Sequence, residues 1–296
     1  MKKAAIIIIV IFAVTAFGQT IYGNRALPPG AFLWLSGDAR TEAMATTATA
    51  DGGIASGWAN PAAIFEYRDV SAGATYSYIR SKTNNSGLFA TKGFGDWAGA
   101  VRFFLVNSNE IEARTEPTSQ PDYLFDTHQL YTQFTLAKSF SDFISFGASA
   151  KWIHERIDQF DRQGWVFDIG LAGEYEFLKA GAAVNNFCGE QVYFDQYREN
   201  YPTTYRIGIA GEVLDYGLVA VDYVKPDLLP GYTAIGVEGY IRDYITLRAG
   251  YTPGHDTRNI SAGFGVKYAG LNLDYALTNY SENLGISHQV TLSWAR

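Results

Sequence analysis

From about residue 68 to the end of the chain, apolar and polar positions alternate with a period of two, as they do along strands with one apolar face. Trp165, Phe167, Ile169, Leu171, Tyr175 and Phe177 alternate with Val166, Asp168, Gly170, Ala172, Glu174 and Glu176 around Gly173. The pattern returns at Tyr205, Ile207 and Ile209, at Ile260, Ala262 and Phe264, and at Val290, Leu292 and Trp294. It divides the chain into fourteen segments near 69–81, 86–94, 96–106, 127–141, 143–154, 164–177, 179–187, 203–214, 216–225, 232–242, 244–252, 259–268, 270–279 and 286–295. Links after the even-numbered segments are very short, at Gly95, Ser141-Asp142, Leu178, Asp215, Arg242-Asp243 and Ala269-Gly270. Links after the odd-numbered segments are longer and more polar, including 107–126, 155–163, 188–202 and 280–285. Short turns at one end and long loops at the other are the plan of a transmembrane barrel, and only a closed sheet satisfies its backbone in lipid. The predicted fold is all-β, a 14-stranded antiparallel transmembrane β-barrel with an N-terminal segment plugging its lumen.

Composition sharpens this expectation. The 296 residues include 6 Trp, 20 Tyr and 19 Phe, so aromatics make up 15% while charged residues are only 18%. Trp97, Phe140, Phe143, Phe177, Tyr216, Tyr244, Tyr268 and Trp294 sit near the short turns, and Trp152, Trp165, Tyr205, Tyr223 and Tyr251 near the long loops. Two such belts match the preference of aromatic rings for the headgroup level. Six cations fall on the other strand face, Arg102, Lys151, Arg206, Arg242, Arg248 and Lys267, against seven acids, Asp168, Glu174, Glu176, Glu212, Asp222, Glu238 and Asp274. That balance predicts a hydrated lumen of paired charges rather than a field selecting one ion sign.

Fourteen strands enclose more space than wall side chains fill. Residues 19–67 lack the two-residue alternation and carry the small-residue run Ala43-Met44-Ala45-Thr46-Thr47-Ala48-Thr49-Ala50, which suits a hatch packed inside the barrel; a free periplasmic tail is the alternative. Pro61 fixes its own backbone and restricts the residue before it, so Asn60-Pro61-Ala62 predicts a rigid turn leading to the first strand. Upstream, Met1-Lys2-Lys3, the apolar run Ala4 to Phe17 and the small residues Ala16 and Gly18 predict a Sec signal peptide over 1–18, with Gln19 as the mature N-terminus. The expected organisation is therefore signal peptide 1–18, hatch 19–67 and barrel 68–296, in a Gram-negative outer membrane. The formal charge of -7 and the lack of a basic cluster argue against nucleic-acid partners.

Catalytic chemistry finds little support. No Gly-x-Ser-x-Gly elbow, His-Glu-x-x-His helix or phosphate-binding glycine loop is present, and neither a cofactor nor a metal is expected. If the fourth and fifth strands pair about Ser141-Asp142, His128 and His154 approach one another at the rim beside Glu155 and Asp158, as a metal site, an acid/base pair or functionless rim residues. Cys188, the one cysteine, excludes an intramolecular disulfide. The loop 188–204 is the better binding candidate: Tyr193, Phe194, Tyr197 and Tyr201 stand among Glu190, Asp195, Arg198 and Glu199. They are expected either to contact a protein or amphipathic ligand, or to fold back over the barrel mouth.

Several blocks resemble one family. Ser36-Gly37-Asp38-Ala39-Arg40, Met44, Ala50-Asp51 and Trp58-Ala59-Asn60-Pro61-Ala62 look like the N-terminal signature of the PorV/PorQ family, with Ala43-Met44-Ala45 where that family has Gly-Met-Gly. Val184-Asn185-Asn186-Phe187, Tyr205-Arg206-Ile207-Gly208 and Leu247-Arg248-Ala249-Gly250-Tyr251 resemble its later blocks. The resemblance implies a fold like that of the FadL hydrophobic-compound channels, a fourteen-stranded outer-membrane barrel with an N-terminal hatch. For PorV-like members it implies an escort or docking role toward secreted cargo or secretion-machinery components. The alternatives are a FadL-like channel for small hydrophobic ligands and a structural outer-membrane protein.

Overall fold

The computed structural model describes residues 30–296 apart from 68, 80–81, 142, 194–196, 228, 243, 256 and 282–284; the predicted signal peptide and hatch residues 19–29 lie outside the described residues. Strands β1 (Ser71–Ile79), β2 (Thr83–Phe94), β3 (Trp97–Ala113), β4 (Tyr123–Ser141), β5 (Ile144–Ile157), β6 (Phe160–Tyr175) and β7 (Leu178–Phe187) follow one another around a barrel wall. A separate hairpin, β8 (Glu190–Tyr193) and β9 (Tyr197–Asn200), intervenes. The wall resumes with β10 (Thr204–Glu212), β11 (Gly217–Pro226), β12 (Tyr232–Ile241), β13 (Ile245–Tyr251), β14 (Arg258–Tyr268), β15 (Leu271–Tyr280) and β16 (Gly285–Ala295). Every neighbouring pair is antiparallel, and β16 closes on β1 from Ser71↔Ala295 to Ile79↔Ser287, giving a closed barrel of fourteen strands.

The alternation sets the register. Leu171, Ile207, Leu247, Phe264 and Leu292 leave large apolar areas exposed on the outer face, while Lys151, Asp168, Arg206, Asp222 and Glu238 are buried inside. An outer apolar face on a closed sheet is the lipid-facing surface of a transmembrane barrel.

The largest departure from the expected boundaries is at the long-loop end. β3 runs to Ala113, β4 starts at Tyr123, and β5 and β6 reach Ile157 and Phe160. The loops expected at 107–126 and 155–163 are therefore largely one tall pair of hairpins, with a register shift between Ser108 and Ile111. Apolar alternation ends where the lipid ends, but ladder hydrogen bonds do not need it, so Asn107, Ser108 and Glu112 stay extended in a polar stretch that reads as loop.

Residues 30–67 lie against the inner wall. They comprise a short α-helix (Ala39–Ala43) and 3₁₀ segments at Ala31–Trp34, Gly53–Trp58 and Pro61–Tyr67. Asp38 caps the helix, its carboxylate accepting the Thr41 N–H at 2.9 Å. The wall meets this segment with a belt of inward glycines that face one another across strand pairs: Gly147↔Gly170, Gly181↔Gly208 and Gly236↔Gly250. A Cβ at Gly147 would overlap the Pro61 backbone, at Gly181 the Thr49 carbonyl, and at Gly250 the backbone of Met44 and Ala45. The run Ala43–Ala50 is small because it rides directly on a wall that has lost its own side chains.

Leu171→Arg, on the lipid face, is expected to cost about 2–4 kcal/mol. Glu116→Arg, in the exposed loop beyond β3, should change stability by less than about 0.5 kcal/mol. Urea unfolding in lipid vesicles measures both, and equal effects would rule out a lipid-facing band at Leu171.

Candidate functional site

Asn60 is fully buried and ties the hatch in three directions. Its Nδ2 donates to the Thr49 carbonyl at 2.7 Å and to the Leu171 carbonyl at 2.9 Å, and its Oδ1 accepts the Ala62 N–H at 3.0 Å. Pro61 and Ala62 lie over Gly147, where a side chain would not fit. Farther round, Asp222 Oδ2 accepts the Ala48 N–H at 3.0 Å, the Thr49 N–H at 2.9 Å and the Thr49 hydroxyl at 2.6 Å. Ala39 donates to Thr291 Oγ1 at 2.8 Å, and Gln133 Nε2 to the Gly57 carbonyl at 2.8 Å.

Ion pairs add a second set of ties, most of them on the short-turn side of the hatch. Arg40 meets Asp51 at 3.1 Å and Glu238 at 3.0 Å, and Glu238 also pairs with Arg248, which holds Asp274 at 2.7 Å. At the opposite, long-loop end of β14, Arg258 pairs with Glu42. Lys179 is shared between Asp51, at 3.1 Å, and Glu66. Burial raises Asp51, but Arg40 and Lys179 outweigh it and hold the carboxyl down to about 2. Glu66, competing for the same lysine, is pushed up to about 7, first by burial and then by the charge of Asp51. Arg40, Asp51, Glu66, Lys179 and Glu238 border a space of about 310 Å³, beside Glu212 and Lys267, and Glu66 and Lys179 also border one of about 230 Å³, beside Ala62 and Glu174. A space of about 550 Å³ lies between Tyr240, Arg248, Lys267 and Asp274.

The long-loop side of the hatch is different in kind. Phe32 and Leu33 of the hatch pack with inward Phe104 and Val106 of β3, Tyr131 of β4, Ile153 of β5 and Val166 of β6, and Tyr201 closes the cluster from the loop. The Phe104 and Tyr131 rings lie 5.4 Å apart. This apolar patch in a polar lumen was missed in the sequence. Its signal is that alternation fails on both faces at once, in Phe103-Phe104-Leu105-Val106, Trp152-Ile153 and Trp165-Val166-Phe167.

Of the lumen-facing residues expected from the pattern, Arg102, Lys151, Asp168, Arg206, Glu238, Arg248 and Asp274 lie on the inner wall, Lys151 Nζ meeting Asp168 at 2.9 Å. Glu174 and Glu212 lie at its short-turn rim, bordering the hydrated spaces. Tyr201 is not an outward-facing contact. It is 2% exposed, and its hydroxyl donates to Glu155 Oε1 at 3.1 Å, so of the two expectations for this loop Tyr201 follows the second and turns back over the barrel mouth. Tyr193 and Tyr197 pair across the β8–β9 hairpin, but their side chains, and Phe194, lie outside the described residues. His128 and His154 share the outer face with separate partners, Asn107 Oδ1 at 2.7 Å and Asp161 Oδ1 at 3.5 Å, while Glu155 points into the lumen. Among the described residues no group of three His, Cys, Asp or Glu is placed to hold a metal ion.

No protein-family model and no curated protein matches the chain. Solved structures do. The toluene transporter TodX of Pseudomonas putida superposes with a TM-score of 0.68 at 14% sequence identity, covering 88% of this chain and 99% of that one. The monoaromatic hydrocarbon channel CymD superposes with a TM-score of 0.64 at 14% identity, covering 86% and 95%. The chain thus has the fold of these hydrocarbon-channel barrels over nearly their whole length.

Two outcomes follow from the hatch ties. Asn60→Leu leaves three buried backbone groups without their partner and is expected to loosen the hatch by about 2–4 kcal/mol; faster proteolysis of residues 30–67 in an intact barrel checks it. The folded hatch keeps the Glu66 proton up to about pH 7, whereas an unfolded glutamate loses it near 4.5. Hatch stability therefore falls as pH rises through that window. Glu66→Gln should flatten the slope of protease protection against pH, and an unchanged slope would assign it to another group.

Proposed function

We propose that this protein is an outer-membrane channel that admits small hydrophobic molecules, with the hatch as its gate. The observation that carries the reading is the apolar patch of Phe104, Val106, Tyr131, Ile153 and Val166, built into a lumen that is otherwise polar and covered by Phe32 and Leu33 of the hatch. Packed under Phe32 and Leu33, these side chains stabilise the closed arrangement by apolar burial. A wall that lends a binding surface to an apolar solute needs them there, and pockets of that composition with a few polar groups suit small ligands. The solute takes the place of Phe32 and Leu33, and differential affinity for the displaced hatch drives the change. The likeness to TodX, described as a toluene transporter, and CymD, described as a monoaromatic hydrocarbon channel, supports the same reading.

The escort role implied by the PorV/PorQ resemblance has less behind it. It rests on that resemblance and on the aromatic loop 188–204, of which Tyr201 turns inward to cover the patch. The outer-membrane assignment rests on the lipid-facing band together with the predicted signal peptide.

Cells of a Gram-negative host expressing the protein should take up labelled toluene at least several-fold faster than vector controls. The double variant Phe104→Asp/Tyr131→Asp should lose that gain while keeping the heat-dependent gel mobility of a folded barrel. Uptake equal to the vector control, with secreted proteins co-purifying, would overturn the channel in favour of the escort.

A further inference from the structure

Most buried cations in the lumen are matched with a carboxylate. Arg40 has Asp51 and Glu238, Lys151 has Asp168, Arg162 has Glu155, Lys179 has Asp51, Arg248 has Glu238 and Asp274, and Arg258 has Glu42. Arg102 and Arg206 are not, although they are only 5% and 6% exposed. Among the described residues neither has a carboxylate within ion-pair distance. Arg102 spends one nitrogen on the Gly37 carbonyl at 2.9 Å, and its Nε and the other terminal nitrogen have no partner. Arg206 lies over the Trp58 ring at 4.9 Å with a terminal nitrogen likewise unpartnered, and the Trp58 indole N–H is a third buried donor without an acceptor.

These orphan donors converge. The Arg102 terminal nitrogen and the Trp58 Nε1 both crowd the point where a Gly37 side chain would stand, and Arg206 covers the same indole. Asp38 caps the hatch helix and Asp168 holds Lys151, while Asp222 holds Thr49 through Oδ2 and keeps a buried Oδ1 without a partner, beyond ion-pair distance of Arg206. A cavity of about 20 Å³ touches Trp58 and Arg102, though not Arg206, and is otherwise walled mainly by small and apolar residues such as Ala55, Ile64 and Phe89; it has room for about one small ion or water. Buried N–H donors left without an acceptor are unfavourable, and several of them in one place more so.

We propose that Arg102, Arg206 and the Trp58 indole N–H form a binding site for one monovalent anionic group, seated between hatch and wall. Two sources supply that chemistry. One is a free halide. The other is the carboxylate of an amphipathic solute whose apolar part lies on Phe104 and Tyr131, since the Arg102 guanidinium stands 5.0 Å from the Phe104 ring centre and 5.9 Å from that of Tyr131. The site follows from the pairing of charges and holds whether or not the protein transports toluene, so its failure and that of the channel reading are separable.

The test is thermal unfolding of the purified full-length protein in detergent, with sodium chloride, sodium bromide or sodium benzoate titrated at constant ionic strength against the bulky sulfonate HEPES. For a specific site the midpoint should rise by about 2–5 °C per tenfold increase in the bound anion. Arg102→Gln and Arg206→Gln should abolish that dependence. Arg102→Lys, which keeps the charge, should retain part of the dependence and guards against simple misfolding. A response to halide assigns a resident ion, and a response to benzoate alone assigns the head group of a solute. No anion dependence in wild type, or equal dependence in the glutamine variants, would overturn the site, leaving Arg206 and Asp222 bridged by water.

Discussion

The close approach of two backbones, hatch against wall, is the constraint on which the rest of the lumen depends. Gly147, Gly170, Gly181, Gly208, Gly236 and Gly250 strip the inner wall of side chains along one belt, and Ala43 to Ala50 with Asn60-Pro61 lie in the space released. Neither half works alone. A bare wall would leave a wide opening, and a small-residue hatch against a wall with side chains would have no seat. Backbone proximity also lets Asn60 reach a strand carbonyl, because a longer lever than an amide would not fit.

Around that seat the lumen is sorted by polarity. Below it, toward the short turns, ion pairs such as Arg40–Glu238 and Lys179–Asp51 fasten hatch to wall and face hydrated space. Above it, Phe32, Leu33 and Tyr201 pack on an apolar wall. Ionic ties next to water are individually weak; several of them acting on one segment hold it in register yet let it be displaced. Apolar packing on the other side gives a hydrophobic solute something to compete for.

Charge in the lumen is balanced in total but not locally. The near-equal numbers of inward acids and bases conceal a region around Trp58 in which two guanidinium groups stand without carboxylates. Total balance sets the long-range field, whereas local balance decides which buried groups still need a partner.

Period-two alternation and the strict separation of short from long links determined the number of strands, their order and the face each presents, because a closed sheet in lipid must show an apolar residue outward at every second position. Residues 30–67, which lie against the inner wall, coincide with the stretch where that alternation is missing. Three things were decided only in the tertiary structure. The tall hairpins of β3 to β6 continue on backbone hydrogen bonds after the apolar signal stops. Tyr201 turned inward because a loop's direction depends on what lies beneath it, here Phe32 and Leu33. The pairing of Asp51 with Lys179, more than a hundred residues away, and the isolation of Arg102 and Arg206 depend on which inward positions the closed barrel brings level with each hatch residue. Period alone assigns a side chain to a face; only closure and the seating of the hatch assign it a neighbour.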